Sequence, residues 1–347
     1  GFKKSVLNKN IKALSDKTWE AINLEVLDYA KGAKIEKGRM ARIDCTVVES
    51  NIHEPSDSML LYDCVSVLSR LQDEVRDLGL GRFGYHDHRR VAKRRMIKIQ
   101  YAPNEAERRQ PYCDLIKYTR KTLASARRAI ELTGSVGADD VAALGLALEL
   151  EHYAGLTERV IAQAERRVIK GEQVPASEKV FSIFEEHTDI IIKDRRDKYY
   201  GHKVCLTGGR SNLILDCQIV EGNPADVTLT ETMLDRQKQI YGRYPLKAAL
   251  DGGFASKENL RVAKEKGIKD VCFAKKRGMK TLDMCRSEYV YKRLRRFRAG
   301  IESGISWLKR SFGLDRCTWK GWRSFKSYVW ASIVSANLLT IARKQLA

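Results

Sequence analysis

Residues 41–50 read Ala41-Arg-Ile-Asp-Cys-Thr-Val-Val-Glu-Ser50, and this stretch decides the fold class. Ile43, Thr46, Val47 and Val48 form a β-branched cluster that suits a buried strand, and His53-Glu-Pro-Ser-Asp57 closes it. Upstream, residues 1–35 predict a helix, with Ile11, Leu14, Trp19, Ile22, Leu24, Val26 and Leu27 as its apolar positions and Gly32 as its stop. The chain opens Gly-Phe-Lys-Lys with neither Met nor signal-peptide pattern, and reads as lacking an upstream segment. Downstream, from about Met59 to Gln173, the periodicity is helical, as in Leu60/Leu61/Cys64/Val67/Leu68 and Val141/Leu144/Leu148/His152. Strand signals resume near Lys179. Tyr200–Thr207 and Leu213–Val220 predict a hairpin around Gly208-Gly-Arg-Ser-Asn212. The Gly-Gly pair lacks the spacing of a phosphate loop. Then follow a helix over Thr230–Tyr241, a strand over Pro245–Asp251, a helix over Ser256–Lys266, a strand over Val271–Lys275 and a long helix over Lys292–Phe312. The pattern predicts an α/β domain whose first strand is followed by a large all-helical insertion.

The expected organisation is a helical segment over 1–40, the first part of a catalytic core over 41–58, the helical insertion over 59–176, and the rest of the core with C-terminal helices over 177–347. The charge narrows the partners. There are 64 Lys and Arg against 44 Asp and Glu, a net +20, so a polyanion is the expected partner and nucleic acid the commonest one. Between Arg89 and Arg128 stand thirteen basic and three acidic side chains, with Arg89-Arg-Val-Ala-Lys-Arg-Arg95 as the densest run. One such run alone suits a solvated helix face. Ten net charges in forty residues point to a nucleic-acid surface, with Arg94 and Arg95 as contacts. No apolar run of about 18 residues exists to span a bilayer, so no membrane partner is expected. The eight cysteines are scattered and no CxxC pair occurs, which fits a reducing cytoplasm better than a zinc ribbon or a disulfide framework.

Three acids stand where acids are costly. Asp44 lies inside the β-branched strand, Asp251 ends a second strand before Gly252-Gly253, and Glu302 is the one acid among seven Lys and Arg over residues 291–310. Each has a bland reading: a bend, a turn, or neutralisation of Arg298 four residues earlier. Together they suit a site holding divalent Mg2+, with Mn2+ as a substitute, in which two ions stabilise the attacking and leaving oxygens of an in-line displacement at phosphorus. On the long helix Ile301, Ile305, Leu308 and Phe312 form an apolar stripe, and Arg298, Glu302 and Lys309 form a second stripe beside it.

Asp44-Cys-Thr-Val-Val-Glu49, Tyr200-Gly-His-Lys203, Glu221-Gly-Asn-Pro-Ala-Asp226, Leu250-Asp-Gly-Gly-Phe-Ala255 and Phe297-Arg-Ala-Gly-Ile-Glu302 with Lys309 resemble, in order, the blocks of bacterial insertion-sequence DDE transposases. The nearest group is the ISNCY-type relatives of the families with a YREK signature. The resemblance covers about residues 20–345. It implies an RNase H-like mixed sheet flanked by helices, with Asp44, Asp251 and Glu302 as catalytic metal ligands. Arg298, Glu302 and Lys309 match the signature Y-x2-R-x3-E-x6-K; its tyrosine position is Arg295 here. The implied activity is metal-dependent cleavage of double-stranded DNA at element ends and transfer of the freed 3′-hydroxyl into target DNA, by a homodimer. Arg298, Lys309, Arg295 and Lys203 are the implied DNA contacts, and His202 is expected to be structural. Two other outcomes stay open: an RNase H-like nuclease without strand transfer, and an inactive DNA-binding remnant.

Overall fold

The computed structural model describes residues 3–79, 83–135, 140–193 and 197–346. The chain divides into two compact units, one built from residues 1–51 and 187–347 and the other from residues 52–186.

The first unit is a mixed sheet with helices on both faces. Strand β1 (Met40–Glu49) pairs antiparallel with β3 (Asp197–Gly208) on one side and parallel with β5 (Lys247–Leu250) on the other. β6 (Asp270–Phe273) continues the parallel half beyond β5. The far edge of β3 carries β2 (Asp189–Lys193) along its first residues and β4 (Ile214–Val220) along its last. The sequence reading found every strand but β2, whose Asp-Ile-Ile-Ile-Lys is too short to show alternation. The expected single helix at the start is two, α1 (Lys4–Ala13) and α2 (Asp16–Gly32). The break comes from Ser15, whose hydroxyl accepts the Thr18 N–H at 3.1 Å and caps the second helix, a signal weaker than the apolar periodicity that runs through it.

Helix α10 (Glu288–Phe312) begins at the N-cap Ser287 and stops at Gly313, which adopts a left-handed φ of +72°. Its Ile301 and Leu308 are buried against Val48, Val204 and Leu206, with Ile305 and Phe312 beside them, so the predicted apolar stripe is the face laid on the sheet. α11 (Trp322–Leu346) joins the same core through Phe325, Val329, Trp330 and Ile333. α7 (Thr230–Tyr241), α8 (Lys257–Glu265) and the short α9 (Thr281–Met284) build a second core with β5 and β6 around Phe254 and Phe273. A buried amide holds the helices to the sheet edge: Asn337 on α11 donates to the Ile214 carbonyl and to Asn23 on α2, each at 2.8 Å.

The second unit is helical throughout its described residues. It consists of α3 (Asp57–Asp77), α4 (Arg89–Tyr101), α5 (Glu105–Gly134) and α6 (Val141–Ala164) around a core of Leu60, Leu61, Leu68, Leu71, Leu115 and Leu150. Buried Asp57 is satisfied within it by Gln163 and Arg167.

Candidate active site

Asp44 and Asp251 are neighbours because of strand register. The last paired residues of β1 and β5 are Ile43 and Leu250, so the next residue on each strand is an acid, on adjacent strands about 4.8 Å apart. The Asp251 N–H still reaches the Ile43 carbonyl at 3.3 Å, which holds the two backbones together at this point. Past Asp251 the chain must turn at once under other side chains. A Cβ on Gly252 would lie 2.7 Å from the Lys275 side chain, and one on Gly253 would lie 2.7 Å from Asp226 Oδ2. Glycine lets the backbone pass close under these side chains, and neither residue has a left-handed backbone.

α10 brings the third acid. At Gly300 the helix passes directly over the Arg42 side chain, where any Cβ would collide with the guanidinium. Arg42, buried in β1 two residues before Asp44, donates to the Phe297 carbonyl at 3.1 Å and to Asn212 Oδ1 at 2.7 Å, and its guanidinium lies over the Phe297 ring. The sequence reading passed over Arg42. Only the packing shows that it pins the helix from below, and Gly300 in a basic helix was the available hint.

The three acids meet at one guanidinium. Arg298 Nη1 lies 2.5 Å from Asp251 Oδ1 and 3.8 Å from Asp44 Oδ2, while Nη2 donates to Glu302 Oε1. Asp44 and Arg298 are largely buried, Asp251 is half-buried and Glu302 is exposed. Burial, first, pushes the Asp44 carboxyl up to about 6; the Asp251 carboxylate adds to this and Glu302 adds less, while the Cys45 N–H and Arg298 oppose it. Acids that disfavour one another's charge in this way suit a hard divalent cation, for which carboxylate oxygens are the fitting donors. Asp44 Oδ2 and Asp251 Oδ1 are bridged through Arg298 Nη1, at 3.8 and 2.5 Å, so the guanidinium stands where the acids converge. Among the described residues no three His, Cys, Asp or Glu side chains stand close enough to share an ion.

A cleft of about 590 Å³ opens beside the acids, lined by Asp44, Thr46, Glu302, Ser306, Lys309, Arg310 and Asp315. Lys309 enters it bonded to Asp315 at 3.0 Å. Asp315 and Arg310 were not found in the sequence; Asp315 arrives because the chain after Gly313 returns to β1, its carbonyl accepting the Glu49 N–H at 2.9 Å. Arg295 is exposed one turn before Arg298, on the same helix stripe.

Lys203 takes a different place from the one expected. Its register partner is Val47, so it lies on the opposite face of the sheet from Asp44, and its ammonium is spent on Asp226 at 2.8 Å and the Pro224 carbonyl at 2.6 Å. It braces the loop against which Gly253 packs. His202 is buried among His187, Trp322 and Phe325, a structural position. Arg94 and Arg95 belong to the helical unit. Arg94 is exposed, but Arg95 turns to Asp114 at 3.0 Å and is a poor phosphate contact.

Residues 182–338 match the family model for the transposase DDE domain. That stretch includes Asp251, Arg298, Glu302 and Lys309, and the match supports a DDE-type transposase, with the DNA recombination chemistry and RNase H-like fold of that family. Asp44 lies outside the matched stretch. Strand register and the Arg298 bridge are what connect it to the DDE-domain acids. No curated protein and no solved structure matches the chain. No helix is long and apolar enough to cross a membrane among the described residues.

Proposed function

We propose that the chain is an insertion-sequence transposase, ISNCY-type and allied to the YREK-signature families, that cuts double-stranded DNA at element ends and joins the freed 3′-hydroxyl to target DNA. The observation that carries this reading is the convergence of Asp44, Asp251 and Glu302 on one guanidinium beside an open cleft that also holds Lys309 and Arg310. These acids would hold Mg2+ or Mn2+, which when bound polarises the phosphate and lowers the pKa of the attacking hydroxyl.

The chain's own residues do the rest. Arg298 balances the three carboxylates and is the side chain that must swing toward a DNA phosphate for them to close together. Lys309 and Arg310 line the wall of the cleft and attract the strand, while Arg295 extends the basic stripe toward the start of α10. Arg42 and Gly300 set the height of α10 over β1, and so the reach of Glu302. The helical unit, entering the sequence between β1 and β2, serves as an insertion with a second DNA surface. A cytoplasmic homodimer bridging two element ends completes the proposal.

The test is Mn2+-dependent nicking of duplex DNA by wild type and Asp251→Ala, with a pre-cut end to score joining. Loss of both activities in the variant supports the assignment. Equal nicking by the two proteins would sink it, and hydrolysis without joined product would leave a nuclease.

A further inference from the structure

A basic cavity lies in the same unit, away from the acids. It has a volume of about 580 Å³ and is formed where five separate segments meet: the loop before β1, the β3–β4 turn, the start of β5, the first turns of α10 and the end of α11. Its rim carries Lys34, Lys37, Arg39, Arg210, Arg293 and Lys344, all exposed and none in an ion pair with another described residue. A seventh cation, Lys247, is held by Asp270 at 3.6 Å. The floor is apolar, from Met40, Leu246 and Leu294.

The cavity is built, and the acid in its lining ties two of its loops together. Glu36 is buried, and its carboxylate accepts from the Lys37 and Gly38 N–H groups at 2.8 and 3.0 Å and from the Ser211 N–H and hydroxyl at 2.8 and 2.6 Å. A carboxylate with four donors holds the two loops in place, and its single negative charge is outweighed by the six cations of the rim. Lys34 is held at a positive φ of +60°, a conformation that non-glycine residues adopt only where the surroundings enforce it. Six like charges facing one recess with an apolar base favour a polyanion that fills it.

From this arrangement we infer that the cavity binds phosphate groups of the DNA that flanks the cleavage point. Arg293 precedes Glu302 by nine residues on α10, so the cavity starts about 13 Å along the helix from the acids. At about 3.4 Å per step that is close to four base pairs of duplex. A duplex with its scissile phosphate at Asp44 and Asp251 would follow Arg298 and Arg295 along one side of α10 to the start of the helix, where Arg293, half a turn round, opens on the cavity from the other side. The inference rests on the reading of DNA as the partner, and not on the roles given to the acids. A free polyphosphate has the same chemistry, and the experiment separates the two sources.

The full chain, Arg39→Gln/Arg210→Gln and a control Lys257→Gln/Lys269→Gln are compared for binding of a 30-base-pair duplex at several salt concentrations, and for binding of tripolyphosphate. Both control lysines are exposed on α8 and the turn that follows it. The expected result is a log–log salt slope lowered by about 2 in the cavity variant, near 0.9 per lost phosphate contact, with little change in the control. An unchanged duplex slope with tripolyphosphate binding lost would assign the cavity to a small anion and overturn the DNA source. Unchanged binding of both overturns the site. Asp251-dependent nicking, run on the same proteins, shows whether the catalytic reading stands whatever the cavity does.

Discussion

Replacing Arg298 with Ala removes the cation that all three carboxylates share, and the structure sets the size and sign of the result. Asp44 is 16% exposed and 3.8 Å away, Asp251 is 38% exposed at 2.5 Å, and Glu302 is 57% exposed. Breaking a fully buried pair costs about 3–5 kcal/mol. Solvent screens two of these three partners, so the expected loss is about 1–3 kcal/mol. For a unit of this size each kcal/mol lowers Tm by roughly 2–4 °C. The consequence for ions is opposite in sign. With Arg298 present, a divalent cation must displace a bonded guanidinium; with it gone, the cation meets three unbalanced acids. Thermal unfolding in EDTA and in rising Mn2+ should therefore show a lower starting Tm for the variant but a larger rise with Mn2+, about 2.7 kcal/mol at a hundredfold excess over Kd. Nicking should fall all the same, because the phosphate loses its partner. An equal Mn2+ response in wild type and variant would refute the view that Arg298 and the ions compete for the same oxygens.

Asp44→Asn should abolish nicking yet raise Tm by a few degrees, since a carboxyl pushed up to about 6 by burial and like charge costs the folded state at neutral pH; differential scanning calorimetry would show it, and a lower Tm would count against the crowding of the acids. In the helical unit, Arg94→Gln should lower the salt slope of DNA binding by about 1, whereas Arg95→Gln, already neutralised by Asp114, should barely move it. Lys203→Met should cost about 1–3 kcal/mol in urea unfolding by stranding Asp226, and leave the salt slope unchanged; a slope lowered by 1 would restore Lys203 as a DNA contact.

Strand β1 was legible because Ile43, Thr46, Val47 and Val48 prefer a pleated, buried surface whatever surrounds them, and α10 because its apolar and charged stripes keep one period for about four turns. Asp44, Asp251 and Glu302 stood out for a related reason: an acid in a strand, at a strand end or alone in a basic helix contradicts its local setting. The break at Ser15 and the five-residue β2 were illegible, because a single cap or so short a strand carries less signal than its neighbours. The sequence by itself thus determined the class of fold, the strongly basic surface and the candidate acids, all of which follow from local preference and composition. Only the tertiary structure decided that Asp44 stands beside Asp251, that Arg298 ties all three acids, that Lys203 faces away, and that six cations from four segments share one cavity. Those facts depend on register and on which chain segments pack together, and a charge contact such as that between Asp44 and Arg298 leaves no period or motif in the sequence from which to read it.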